Sequence, residues 1–96
     1  MWFPFSRYKL VGHSMEPIFR DGDTLWVNRL VYLFSSPRER DIVVFNHNNK
    51  FLMKRVNKVG KNVYLLIGDN KKDSLDSRNL GFVNFKQIIG KVITRQ

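Results

Sequence analysis

The chain has no cysteine, two histidines and three prolines in 96 residues. Without cysteine there can be no disulfide, thiolate zinc site or cysteine nucleophile. His13 and His47 are too few for a histidine-only zinc site and have no paired carboxylate motif around them, so neither a metal nor a cofactor is expected. Acidic residues are also scarce: eight Asp and Glu stand against 17 Lys and Arg, a formal net charge of +9. Such a surface suits an anionic partner, whether lipid head groups, nucleic acid or an acidic protein. No apolar run approaches the roughly 20 residues that cross a bilayer, and residues 1–5 (MWFPF) are too short for a signal-peptide core. The chain therefore reads as soluble or peripheral. It has no repeats, low-complexity tract or linker, so residues 1–96 are taken as one domain with a single small core.

What is present reads as short β segments separated by turns. Residues 8–11 form a short strand broken by Gly12, and residues 24–27 another after the Asp21-Gly22-Asp23 turn. Residues 30–34 fit a helical turn or a strand extension equally, because periodicity cannot decide over five residues. DIVVF (41–45) is a clear strand, 46–49 a polar turn, and FLMKRV (51–56) the returning strand. Gly60 marks the hairpin into the strand 62–67, and 82–85 and 88–93 supply two more β segments, with Gly90 as a bulge. At the N-terminus, Trp2, Phe3 and Phe5 lie close to Arg7 and Lys9, a mixture suited to a membrane interface or to covering one end of the core.

Three places carry chemistry. In Gly12-His13-Ser14-Met15-Glu16-Pro17, the glycine allows close backbone approach and the proline forces a turn. Ser14 is thereby exposed at a strand end with backbone N–H groups nearby, as an acyl-transfer nucleophile requires. His13 points to the opposite side and is not its base. Lys54 sits among β-prone apolar neighbours beside Arg55, and alternation sends the two to opposite faces, so one points inward. A buried lysine favours its neutral amine and becomes a usable general base. The third place is residues 68–81 (GDNKKDSLDSRNLG), a polar loop at a strand end with Ser74, Ser77 and an Asp76/Arg78 pair. Together these make an exposed serine, a strand lysine and a loop able to hold that lysine: a Ser-Lys arrangement of nucleophile and base.

At this point the sequence closely resembles the catalytic core of type I signal peptidases, the S26 serine peptidases. The matching pieces are Ser14-Met15-Glu16-Pro17 with Gly22-Asp23, then DIVVF, then Lys54-Arg55-Val56, then GDN with Ser74, Asp76-Ser77-Arg78 and Gly81. They follow the family order across residues 10–91. The resemblance implies a mainly β fold, a small antiparallel coiled sheet with barrel character like that of the LexA-like domains. It implies that Ser14 attacks the scissile carbonyl and that Lys54 takes the hydroxyl proton. Ser74 would orient the Lys54 amine, Asp76 and Arg78 would brace the loop, and the oxyanion hole would lie by Gly12 and the Ser14 N–H. Leu10, Met15 and Met53 are expected near shallow apolar pockets for small side chains. Arg55 is expected to pair with Asp69. The implied substrate is a preprotein or leader peptide cut after small residues.

Three departures stand out. Gly12 occupies a position where many family members carry a serine hydroxyl, and Arg40 replaces the glycine usual before the DIVVF strand. Only thirteen residues precede Ser14, where the family usually has transmembrane anchors. Attachment is accordingly expected to be peripheral, through the MWFPF end and the basic surface at an anionic membrane, or through a membrane-anchored partner. A soluble, cytoplasmic maturation protease for one precursor, of the kind that trims nickel-type superoxide dismutase, is a second reading. A self-cleaving LexA-like repressor domain fits less well, since thirteen residues leave no cleavage segment. From another class, a basic β module that binds nucleic acid is possible in composition, but no motif of that kind is visible and no nucleic acid is expected.

Overall fold

The computed structural model describes residues 5–70 and 82–95. The apolar, β-branched runs become strands, in the order β1 (Phe5–Lys9), β2 (Thr24–Asn28), β3 (Ile42–His47), β4 (Lys50–Val59), β5 (Val63–Ile67), β6 (Val83–Asn84) and β7 (Ile88–Arg95). A helical turn, α1 (Val31–Phe34), follows β2, and a 3-10 turn (Phe85–Gln87) follows β6. All pairings are antiparallel in one seven-stranded sheet of order β1-β2-β7-β3-β4-β5-β6. Three strands separate β1 from β4 in that order, yet the Tyr8 ring of β1 meets Phe51 of β4 edge to face at 5.8 Å. The sheet must coil back on itself for this contact to form, which is the expected barrel character.

Both faces of the coiled sheet are buried. Alternate residues of β3 supply the two clusters: Val44 joins Leu10, Met15, Phe19, Leu25, Val27, Met53 and Val92, while Val43 and Phe45 join Val56, Tyr64, Leu66 and Val83. Met15 and Phe19 come from the loop after β1, so that loop is folded onto the first cluster as a lid. Phe85 and Tyr32 pack against the second cluster from the two short turns.

Several boundaries differ from the sequence reading. The first strand lies at 5–9 rather than 8–11, because Leu10 leaves the ladder: its N–H donates to the Asp23 carbonyl and its own carbonyl accepts from Gly22. Residues 46 and 47 extend β3, and the turn is only Asn48-Asn49, both at positive φ (51° and 64°), as a tight hairpin requires. The segment 30–34 resolves as helix over 31–34, started by the Asn28 side chain, which accepts from the N–H groups of Leu30 (2.8 Å) and Val31 (3.1 Å). Only 83–84 of the expected strand 82–85 is extended. Asn84 accepts from the Lys86 N–H while the Gln87 side chain accepts from the Asn84 N–H, a capping box that turns the chain.

Arg40, which stands where the family's glycine is usual, has φ of 79°, in the left-handed region. That conformation costs a residue with a Cβ about 1–2 kcal/mol. Its N–H donates to the Val56 carbonyl and its carbonyl accepts from Arg55, so the strained backbone is held on both sides. Arg40→Gly relieves the strain at the cost of a more flexible unfolded chain. It is expected to raise the melting temperature by about 2–6 °C, read by circular dichroism; an unchanged or lowered value would show that the side chain itself stabilises the turn.

Candidate active site

The serine loop, residues 10–23, is tied down along its length. Asp21 accepts from the Gly12 N–H at 2.8 Å, Asp23 accepts from the Arg20 N–H at 2.8 Å, and the Phe19 N–H donates to the Met15 carbonyl at 3.0 Å. Gly12 has φ of 99° and open space where a Cβ would stand. Its N–H is committed to Asp21, so Gly12 acts here by shaping the backbone before Ser14. Ser14 is half-buried at the crest of the loop, while Met15, next to it, is fully buried and anchors the crest in the first cluster. His13 is exposed and its Nδ1 pairs with the Glu16 carboxylate, in keeping with its exclusion as the base.

Lys54 is 4% exposed in the middle of β4, opposite Val43, so it is not a lysine reaching outward from a sheet edge. Burial works against the ammonium and towards the neutral amine. Arg55 takes the other side, and its guanidinium grips Asp69 with Nε to Oδ1 and Nη2 to Oδ2, both at 2.8 Å. The hydrogen bonds to Asp69 hold the guanidinium above its ordinary pKa range, outweighing partial desolvation. A third donation, from Nη1 to the Arg40 carbonyl at 2.9 Å, locks the fork. The expected Arg55–Asp69 pair is therefore present and bidentate.

Asn70 connects this clamp to the serine. Its N–H donates to the Ser14 carbonyl at 2.7 Å, and its Nδ2 donates to the His13 carbonyl at 2.9 Å. The path is continuous: the Ser14 carbonyl to Asn70, its neighbour Asp69 to Arg55, and Arg55 to Lys54 along β4. Asn70 was within the GDN block of the sequence but had no assigned role; its signal was the amide beside Asp69, a donor that a turn backbone readily uses. Ser74, Asp76 and Arg78, the expected supports of the lysine, lie outside the described residues.

A groove lies between β1 and β4. It is lined by 8–11 on one wall and by Val44 and 51–53 on the other, so Leu10 and Met53 border it, while Met15 is not among its lining residues. Among the described residues, no strand pairs with β1 on its outer edge, and β5 pairs with β4 only from Arg55 to Val59. Both walls thus offer strand edge to the groove. In the antiparallel order β1 and β4 run in the same direction, from the Tyr8–Phe51 contact towards Ser14 and Lys54 respectively.

Asp69→Ala leaves the Arg55 guanidinium without its two carboxylate bonds and loosens the turn that holds Ser14. A loss of about 2–3 kcal/mol is expected, from the partly buried position and charge-assisted bonds. Asn70→Ala removes one side-chain bond and is expected to cost about 1 kcal/mol. Chemical denaturation of both variants checks the order; equal small losses would mean that the clamp is not structural.

Comparison with known proteins finds signal peptidases among the relatives of this chain. A signal peptidase I of Bacillus caldolyticus is 28% identical over 142 aligned positions, covering 94% of this chain and 78% of the relative. Signal peptidase I V of Bacillus subtilis is 26% identical, covering 92% of this chain and 83% of the relative, and signal peptidase IB of Staphylococcus aureus is 25% identical, covering 97% and 78%. These alignments are longer than the 96-residue chain, so the relatives carry stretches with no counterpart here. The model of the family described as Peptidase S24-like matches residues 7–93, nearly the whole coiled sheet, and the chain belongs to that peptidase family.

Proposed function

We propose that this protein is a signal peptidase-type serine endopeptidase in which Ser14 is the nucleophile and Lys54 the general base. The observation that supports the reading is the burial of Lys54 on β4, next to an Arg55–Asp69 clamp whose neighbour Asn70 holds the Ser14 carbonyl. An extended preprotein segment would add to the strand edges of the groove by main-chain hydrogen bonding, with Leu10 and Met53 bordering the groove and small residues favoured near the scissile bond. The relatives named signal peptidase I support a signal-peptide substrate.

The chemistry then proceeds through two proton transfers in acylation and two more in deacylation, the last returning a proton to Ser14 Oγ. The neutral Lys54 amine takes the Ser14 hydroxyl proton as Oγ bonds to the scissile carbonyl carbon, and the Ser14 N–H stabilises the oxyanion. The ammonium returns that proton to the departing amine as the C–N bond breaks. Water, deprotonated by the same amine, releases the acyl group and restores the serine. Because the base must be neutral, cleavage should rise with pH as the Lys54 ammonium loses its proton.

The test is cleavage of a peptide carrying small residues at the first and third positions before the scissile bond, with the products identified by mass spectrometry from low to high pH. Cleavage after the small residue, with a rising acid limb, is the expected result. Wild-type protein that leaves such peptides and authentic preproteins uncut, with and without lipid, would sink the reading.

A further inference from the structure

Remote from the groove, the α1 tip presents apolar side chains that the peptidase reading does not use. Leu33 is 72% exposed and Phe34 87%, and no residue of α1 is buried, so hydrophobic packing does not account for their identity. Large apolar residues exposed together usually mark a contact surface. Phe5, 40% exposed, extends this surface: it pairs across the sheet with Asn28, whose side chain holds the start of α1.

The surroundings of the tip identify the contact. Leu33 and Phe34 border a shallow pocket with Asn62 and Phe85, whose chain neighbours are Lys61 and Lys86, and Arg38 follows α1. Among the described residues, few acidic groups stand near these cations in sequence. Asp41 is engaged by the Tyr32 hydroxyl (2.8 Å) and Lys91 (3.5 Å), which leaves Glu39 as the acidic residue nearest in sequence. Exposed aromatic and leucine side chains set in a basic surround match an anionic lipid surface, where apolar insertion and attraction to head groups add. A protein partner of ordinary polarity offers no reason for the excess of lysine.

We infer that the α1 tip, with Leu33 and Phe34 inserted and Lys61 and Lys86 at head-group level, docks this protein onto anionic membranes. The five residues of β1 separate this end from the serine loop by roughly 13 Å, at about 3.3 Å per residue. Docking therefore leaves the groove open to an extended segment close to the bilayer.

The experiment is co-sedimentation of the full chain with vesicles of phosphatidylcholine alone or mixed with phosphatidylglycerol. The wild type is expected to bind the mixed vesicles and to release them as salt is raised. The double variant Leu33→Ser/Phe34→Ser should bind about tenfold or more weakly with an unchanged melting temperature, since both sites are exposed. Lys61→Glu/Lys86→Glu should also weaken binding about tenfold or more, and only to the anionic vesicles. Unaltered binding by the serine pair, or no vesicle binding by the wild type, overturns the inference and turns attention to a protein partner. Cleavage of a soluble peptide without lipid should be the same for wild type and the serine pair. Failure of catalysis and failure of docking are thus read separately.

Discussion

Replacing Lys54 by methionine is expected to lower kcat/KM for peptide cleavage by about 10⁴-fold or more while leaving the melting temperature unchanged or higher. The two effects separate because the side chain is 4% exposed. An apolar chain of similar length fills the same space without the desolvation cost of an ammonium. Catalysis has no such substitute, since removing one member of a nucleophile–base pair typically removes most of the rate enhancement. Lys54→Arg sharpens the test, because a guanidinium stays protonated and cannot accept the Ser14 proton. Ser14→Ala should be as inactive as either, and combining it with Lys54→Met should add almost no further loss, as for groups that act as one unit. A Lys54→Met protein that kept activity within tenfold of the wild type would remove lysine from the chemistry, whatever its burial.

Much of this site was legible because its residues break local rules. A lysine inside FLMKRV is out of place on hydropathy alone, and strand alternation stated that it and Arg55 must face opposite sides; the structure buries Lys54 and clamps Arg55 to Asp69. The boundaries were less legible, for reasons that lie in side-chain hydrogen bonding. The start of α1 depends on Asn28 accepting two backbone N–H groups, and a run of five apolar residues carries no trace of that. The end of β6 was readable: Asn84 followed three residues later by Gln87 is a capping pattern, and it outweighed the β propensity of Phe85. Coiling was the least visible feature, since it requires β1 to meet β4, strands separated by more than 40 residues of sequence. Without that contact the groove between β1 and β4 would not exist.

Gly90→Ala is expected to be the most destabilising of the alanine substitutions at Gly12, Gly22, Gly60 and Gly90, by about 2–4 kcal/mol. β7 occupies the centre of the sheet, between β2 and β3, although it comes last in sequence. Its register slips on both sides: Gly90 faces Val44 while Ile88 faces Phe45, and Val92 faces Val27 while Thr94 faces Trp26. One residue is therefore extra on β7 at each slip, Ile89 and Ile93; the bulge expected at Gly90 falls at its neighbour Ile89, and Gly90 itself pairs with Val44. The extra residues bend β7 and bring its backbone close to β2. A Cβ at Gly90 would stand 2.5 Å from the Asn28 carbonyl oxygen and 2.8 Å from Val27 Cγ1. The first of these neighbours is backbone held in the β1–β2 and β2–β7 ladders, so it cannot step aside without opening both. Overpacking of this kind costs about 1–3 kcal/mol where side chains alone must move, and more where a ladder must. For a domain of 96 residues the melting temperature should fall by about 10 °C or more. The same methyl at Gly12 meets open space and adds only the strain of a positive φ, so Gly12→Ala should lose about 1–2 kcal/mol. The comparison isolates the cause: if both variants lost the same stability, conformational strain rather than the close approach of β7 to β2 would be limiting, and the sheet would have slack at its centre. If Gly90→Ala alone is severely affected, the close approach of β7 to β2 is what leaves no room for a side chain at the centre of the sheet.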